Sequence, residues 1–487
     1  MLLSTLPTRI LITCSIAALA SAAPAQSVER VATTEHAVTL GGHRLAYTAE
    51  AGRITLPDST GAPRAAIFYV AYRVASHAPR PLTFVWNGGP GANALGLHLM
   101  GLGPKRIAGQ ALVDNQQTLL DASDLVFMDP AGTGFSRAAS AAAESTLYST
   151  LGDFEATAQF IRLWRAAHAG ARGPVYLVGE SYGSWRAAAV AERLGALGDK
   201  IAGIVLISGG CPVGPIQPPE IRAALRVPAW ALTALQHGRL PARPGARDSV
   251  IAAARRWALD RYAPALARVA DLSEMERDTM ARELASTIGL PAERIDRRTV
   301  AVTPHQFREQ LLGSRGLTLD IFDMRRIEPM PELPAVLIGG YLRNALGYRT
   351  SLAYRTLERE DSTLAQPVSV NERWSYDSGS HTAADLAAAG AGEGPPGAQP
   401  WVLGALANHS GLRVFVAAGR YDSFTPCWAN EDLATRLPAD VVDRFTFRCY
   451  ESGHMIASDD AARPQFVADL RAWLADGSGR AVAPSRR

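Results

Sequence analysis

Val175-Tyr176-Leu177-Val178-Gly179-Glu180-Ser181-Tyr182-Gly183 sets a short apolar run against a G-x-S-x-G turn. Val175 to Val178 has the character of a buried strand, and the pattern from Gly183 to Leu194 predicts a helix. A serine between two glycines at a strand-to-helix turn is a nucleophile elbow. The turn is sharp, so a side chain at either glycine position would crowd the strand or the helix. Ser181 is thereby lifted to the carboxyl end of the strand, where the next backbone N–H faces a developing oxyanion.

The same rhythm extends to both sides. Leu82 to Trp86, Leu125 to Met128 and Ile204 to Ile207 read as buried parallel strands, with a helix at Gly152 to Ala167. Upstream, Ala37 to Val74 alternates apolar and polar residues around a turn at Pro57 to Pro63, the pattern of a β-meander. From Pro212 to Pro334 the strand signals stop, and Ile221 to Leu235, Ser249 to Tyr262 and Glu274 to Ile288 carry helical periodicity. Strand Val414 to Ala417, a helix over Ala429 to Leu437, strand Arg444 to Tyr450 and helix Pro464 to Leu474 then resume the alternation. Ser378 to Pro400, rich in Ala, Gly and Pro, reads as a loop. These elements predict an α/β fold: a mostly parallel central sheet flanked by helices, built from residues 26–211 and 335–477. A helical insertion, residues 212–334, interrupts it, and residues 478–487 form a disordered tail.

A serine hydroxyl is a poor nucleophile at neutral pH and needs a base. Three of the ten histidines, His381, His409 and His454, lie well beyond Ser181 in the resumed sheet region. His381 falls in the loop and His409 lacks a preceding strand. His454 follows strand Arg444 to Tyr450 in Glu451-Ser452-Gly453-His454-Met455. Asp422 follows strand Val414 to Ala417 in the same way, at the sheet edge where open α/β sheets place their sites. Either residue alone reads as a turn former or a packed core residue. In the order Ser, Asp, His, each after a strand, they read as a catalytic triad. Trp86-Asn87-Gly88-Gly89-Pro90-Gly91 supplies a glycine-rich turn that exposes backbone donors. No Gly-Lys-Ser/Thr follows it, which argues against a phosphate loop.

Composition narrows the function classes. The charged fraction is 20%, the net charge is +3, and all but two of the basic residues are scattered arginines. No basic stripe with interleaved aromatics suggests a nucleic-acid partner. No H-E-x-x-H or C-x-x-C spacing suggests a metal, and no nucleotide fingerprint suggests a cofactor. Arg9, the apolar run Ile10 to Ala20 and the small residues to Ala25 have the order of a secretory signal over residues 1–25. That run is too short for a stable membrane span. The expected product is exported, without stable membrane insertion. Scarce lysine, abundant arginine and alanine, and a short signal point to a bacterial, periplasmic or secreted protein. Cys14 falls in the signal, leaving Cys211, Cys427 and Cys449. Cys427 and Cys449 flank the two triad candidates and suit either a bridge or buried thiols.

Four blocks together resemble the serine carboxypeptidase family of α/β-hydrolases. They are Asn87-Gly88-Gly89-Pro90-Gly91 with Leu102-Gly103-Pro104; Asp129-Pro130-Ala131-Gly132-Thr133-Gly134-Phe135-Ser136; Gly179-Glu180-Ser181-Tyr182-Gly183; and Gly453-His454-Met455. The resemblance implies a peptide substrate with a free C-terminus, cut through Ser181 as nucleophile, His454 as base and Asp422 as orienting acid. It implies oxyanion donors at Gly89 and Tyr182, and a substrate-carboxylate clamp of Asn87, Gly88 and Glu180. Glu180 must be protonated to bind a carboxylate, since two anions repel. The chain departs from the family pattern at Gly101, where a second glutamate is usual, at Val85 in place of a tryptophan, and at Ala92-Asn93 in place of Cys-Ser. Those departures weaken the clamp and leave the triad intact. Ester hydrolysis or acyl transfer by the same triad is the alternative chemistry.

Overall fold

The computed structural model describes residues 31–209, 217–241, 245–329, 333–356, 369–379 and 399–476. The proposed signal, Cys211, His381, the tail and most of the Ser378–Pro400 loop lie outside them. The described residues begin with antiparallel β1 (Ala32–Leu40), β2 (His43–Pro57) and β3 (Pro63–Arg73). There follow β4 (Leu82–Trp86), β5 (Lys105–Ala108), β6 (Ala111–Asp114), β7 (Asp124–Met128), β8 (Arg137–Ala138), β9 (Val175–Glu180), β10 (Gly203–Ile207), β11 (Arg413–Gly419) and β12 (Phe445–Tyr450). All but β5 and β6 form one sheet, in the order β1-β2-β3-β7-β4-β9-β10-β11-β12, with β8 on β3. From β7 to β12 every neighbouring pair is parallel. β4, β9 and β10 are buried along their whole length, which explains their unbroken apolar runs. This is an α/β-hydrolase fold with β9, the strand before Ser181, inside the sheet.

Helices α1 (Ala141–Leu147) and α2 (Thr150–Ala167) lead into β9, and α3 (Tyr182–Ala196) leads out of it. The Ser149 hydroxyl caps α2 by accepting from the Gly152 N–H. Between β10 and β11 the described residues contain helices and no strand: α4 (Pro219–Ala224), α5 (Val227–Gln236), α6 (Ala246–Trp257), α7 (Ala263–Ala267), α8 (Glu274–Ile288), α9 (Pro304–Gln310), α10 (Ala335–Gly340) and α11 (Trp401–Asn408). The single helix expected over Ile221 to Leu235 is two, α4 and α5. Pro228 has no N–H to return to the Ala224 carbonyl, so the first helix stops there. Helices α12 (Cys427–Ala434) and α13 (Arg463–Ala475) complete the chain.

One apolar layer lies under α2, α3 and α11, around Phe84, Trp86, Trp164, Leu177 and Trp185. A second packs the opposite sheet face against α13 and residues near Tyr341. The insertion has its own core around Trp230, Leu284, Phe307 and Met324. That core reaches Tyr421 and Trp428, beside the loop that carries Asp422. The β5–β6 hairpin and a π-helical turn at Gly96–Leu102 gave no periodic signal, being too short to repeat.

Candidate active site

Ser181 sits between β9 and α3 with φ 59° and ψ −129°, a strained conformation for a residue with a side chain. Both flanking glycines are required sterically. A Cβ on Gly179 would lie 1.8 Å from the Gly183 carbonyl oxygen, and one on Gly183 would lie 2.8 Å from the Asn87 oxygen. The Ser181 N–H donates to the Ile207 carbonyl at 2.8 Å, tying the elbow to β10.

The glycine-rich turn after β4 lies directly against this elbow. A Cβ on Gly88 would fall 2.6 Å from both the Glu180 oxygen and the Tyr182 nitrogen. Gly89 is exposed at φ 100°, and its peptide bond to Pro90 is cis. Three contacts brace the turn. Arg186, wholly buried, donates to the Asn87 carbonyl at 2.8 Å and pairs with buried Asp153 at 2.8 Å. Trp86 Nε1 donates to the Gly183 carbonyl at 2.9 Å, and Asn371 Nδ2 to the Pro90 carbonyl at 3.0 Å. Arg186, Asp153 and Asn371 were not singled out from the sequence, because a charged or amide residue in a helix or loop does not announce a buried partner.

The Asn87 amide is oriented from both ends. Its Oδ1 accepts from the Leu97 N–H at 2.9 Å, so its Nδ2 donates to Glu180 Oε1 at 2.6 Å. Glu180 is buried, and its Oε2 has no hydrogen-bond partner among the described residues. Burial pushes its carboxyl up to about 7, against the lowering effects of His454 and the Asn87 hydrogen bond. The Asp422 carboxylate adds a smaller push in the same direction as burial. At Gly101 a Cβ would lie 2.8 Å from the Ala457 methyl, so the position usually held by glutamate is closed by packing.

Asp422 and His454 meet because β11 and β12 end side by side. The Arg420 and Tyr421 N–H groups donate to the Tyr450 and Ser452 carbonyls, each at 3.0 Å, extending the ladder past the strands. His454 Nδ1 then lies 2.8 Å from Asp422 Oδ2, with both residues buried. Asp422 also accepts from the Phe424 N–H at 2.8 Å and the Thr425 hydroxyl at 2.7 Å. Burial opposes charging of His454, but the Asp422 carboxylate and its hydrogen bond outweigh it, and the imidazole is held above its ordinary value. His454 Nε2 is buried without a hydrogen-bond partner among the described residues. Cys427 and Cys449 form a disulfide that joins the start of α12 to β12, between the Asp422 and His454 loops.

Other residues raised from the sequence have structural surroundings. His409 Nε2 donates to the Ala191 carbonyl at 2.8 Å. Asp129 accepts from the Ala94 N–H and the Tyr354 hydroxyl, each at 2.9 Å, and so fixes the start of the segment after the glycine-rich turn.

Residues 46–195 match the model of the serine carboxypeptidase family. A 72-residue stretch is 38% identical to the pheromone-processing carboxypeptidase KEX1 of Verticillium alfalfae, covering 14% of this chain and 11% of that relative. The crystal structure of Kex1Δp, a prohormone-processing carboxypeptidase from Saccharomyces cerevisiae, superposes with a TM-score of 0.53 at 15% identity. That match covers 87% of this chain and 91% of the yeast chain. The family match runs through the glycine-rich turn, the nucleophile elbow and α3, so over residues 46–195 this α/β-hydrolase fold is similar to the serine carboxypeptidase family.

Proposed function

We propose that this protein is an exported serine carboxypeptidase whose triad is Ser181, His454 and Asp422. The observation that carries the reading is the 2.8 Å contact between His454 Nδ1 and Asp422 Oδ2, which leaves Nε2 as the free basic atom. In the reaction, His454 Nε2 takes the Ser181 hydroxyl proton as Oγ attacks the carbonyl of the last peptide bond. The N–H groups of Gly89 and Tyr182 stabilise the oxyanion. The imidazolium then gives its proton to the leaving amine, and a water molecule, activated by the same nitrogen, releases the acyl group.

Asn87, Gly88 and Glu180 hold the substrate's terminal carboxylate. A neutral Glu180 donates its proton from Oε2 while Oε1 accepts from Asn87, and burial keeps it neutral through mildly acidic pH. Residues 212–334 act as the cap over this site. The disulfide fits an oxidising, extracytoplasmic compartment. Among the described residues no helix is long and apolar enough to cross a membrane.

The absence of a carboxyl at Gly101 favours a second reading, in which the same triad acts on esters or transfers acyl groups. Hydrolysis of N-acyl-Phe-Leu, compared with its C-terminal amide and with a p-nitrophenyl ester, separates the two. Strong preference for the free acid is the expected result. Equal turnover of acid and amide, or turnover of the ester alone, would overturn the carboxypeptidase reading.

A further inference from the structure

We infer that Arg325 is a positioning residue that holds the Asp422 and His454 loops in register from a segment near the end of the helical insertion. The inference rests on the reading of that pair given above. Arg325 lies outside the segment matched to the family model. Its guanidinium gathers four chain positions around the pair. Nε and Nη2 both reach the Asp323 carboxylate, at 2.9 and 2.6 Å. Nη2 also reaches Asp459 Oδ2 at 2.5 Å, five residues after His454. Nη1 donates to the Glu451 carbonyl at 2.8 Å, three residues before His454. The guanidinium carbon lies 5.3 Å from the ring centroid of Tyr421, the neighbour of Asp422.

The segment that carries Arg325 touches the histidine itself. The His454 N–H donates to the Phe322 carbonyl at 2.7 Å, and the two rings are 5.6 Å apart. The Met324 N–H donates to the Tyr421 carbonyl at 3.0 Å, and the Ser423 hydroxyl to the Ile321 carbonyl at 2.5 Å. A Cβ on Gly453 would lie 2.3 Å from the Phe322 oxygen, so the histidine loop and this segment are in backbone contact. His237, at the end of α5, donates from Nε2 to the Met324 carbonyl at 2.8 Å, which ties the segment to the helices of the insertion. Phe322 to Arg325 is therefore a strut by which the insertion braces both members of the pair. Only a planar fork serves these acceptors and stacks on a ring at once. A lysine keeps the charge and loses the geometry.

The test uses the full-length protein with Arg325→Lys, Arg325→Met and Asp459→Asn. It reads kcat and KM for N-acyl-Phe-Leu, fluorophosphonate labelling of Ser181, thermal unfolding, and the low-field proton resonance of His454 Nδ1. Arg325→Lys is expected to remain folded, to lose about 10- to 100-fold in kcat with KM within about threefold, and to shift or broaden the resonance. Labelling should slow in parallel. Should Arg325→Met fail to fold, Asp459→Asn, which keeps the Asp323 pair, carries the same test with a smaller loss. Parental kcat and an unmoved resonance in Arg325→Lys would overturn the inference, even with a lowered unfolding temperature. If the parent's turnover is indifferent to Ser181→Ala, the carboxypeptidase reading fails, and the resonance alone then decides the strut.

Discussion

Asn87 Nδ2 donates to Glu180 Oε1 across 2.6 Å, and the amide cannot flip because the Leu97 N–H occupies its Oδ1. The proposed clamp is therefore built around a carboxyl whose one oxygen is committed and whose other is buried and without a hydrogen-bond partner among the described residues. Its behaviour with pH follows from burial.

Glu180 is held up to about 7, and it interacts electrostatically with His454, whose own value is raised. The active form has both groups neutral, so kcat/KM should follow a narrow bell, with limbs that belong to the coupled pair. Glu180→Gln should abolish the alkaline limb and leave the acid limb nearly in place, because Glu180 is already neutral where His454 takes up its proton. Stability gives a second readout. A carboxyl raised from its ordinary 4.5 to about 7 loses stability for the fold as pH rises between those values. Glu180→Gln should therefore melt higher than the parent at about pH 8, with the gain fading toward pH 4.5.

Asp422→Asn removes the main charge that holds His454 above its ordinary value and leaves burial opposed only by the smaller effect of Glu180. The expected loss is about ten-thousandfold in kcat, with KM little changed. Steady-state kinetics on the same dipeptide, beside an unfolding curve, would show whether the loss is chemical or structural.

Gly88→Ala would place a methyl 2.6 Å from the Tyr182 nitrogen, on the backbone that positions Gly89. Neither neighbour is a flexible side chain, so the turn must move away from the elbow. The turnover number should fall about 10²- to 10³-fold, the cost of losing one oxyanion donor. A fall confined to KM would instead assign the turn to substrate binding alone.

Reducing the Cys427–Cys449 bridge, or replacing both residues by serine, should lower stability by about 3 kcal/mol, given a loop of 22 residues. Because the bridge lies between the Asp422 and His454 loops, kcat should fall in the same preparation. Denaturant unfolding with and without reductant measures the first effect, and a progress curve the second.

The parts of the fold legible in the sequence are those with a local signature. The strands of the parallel sheet announced themselves as apolar runs because both faces are covered. The elbow was legible because its two glycines answer contacts of 1.8 and 2.8 Å that no other residue tolerates. Asp422 and His454 could be placed after their strands, since a parallel sheet brings successive carboxyl ends to one edge. Arg186, Asn371, Phe322 and Arg325 were invisible for the opposite reason. Each works through a partner far away in the chain, and its own neighbourhood has no period or turn signal. Position 101 showed the limit most clearly. The sequence revealed the missing carboxyl, but not the Ala457 methyl that occupies its place, nor that burial is the main cause of the Glu180 shift.

Ser181 holds a backbone conformation that costs a residue with a side chain about 1–3 kcal/mol. Glycine would relieve that cost, so Ser181→Gly should unfold at a higher temperature than the parent while losing turnover. The protein is thus less robust than its own inactive neighbour in sequence space. With Ser181 as the proposed nucleophile, selection for turnover would hold serine there, and a lineage released from it would drift toward the sturdier, silent form.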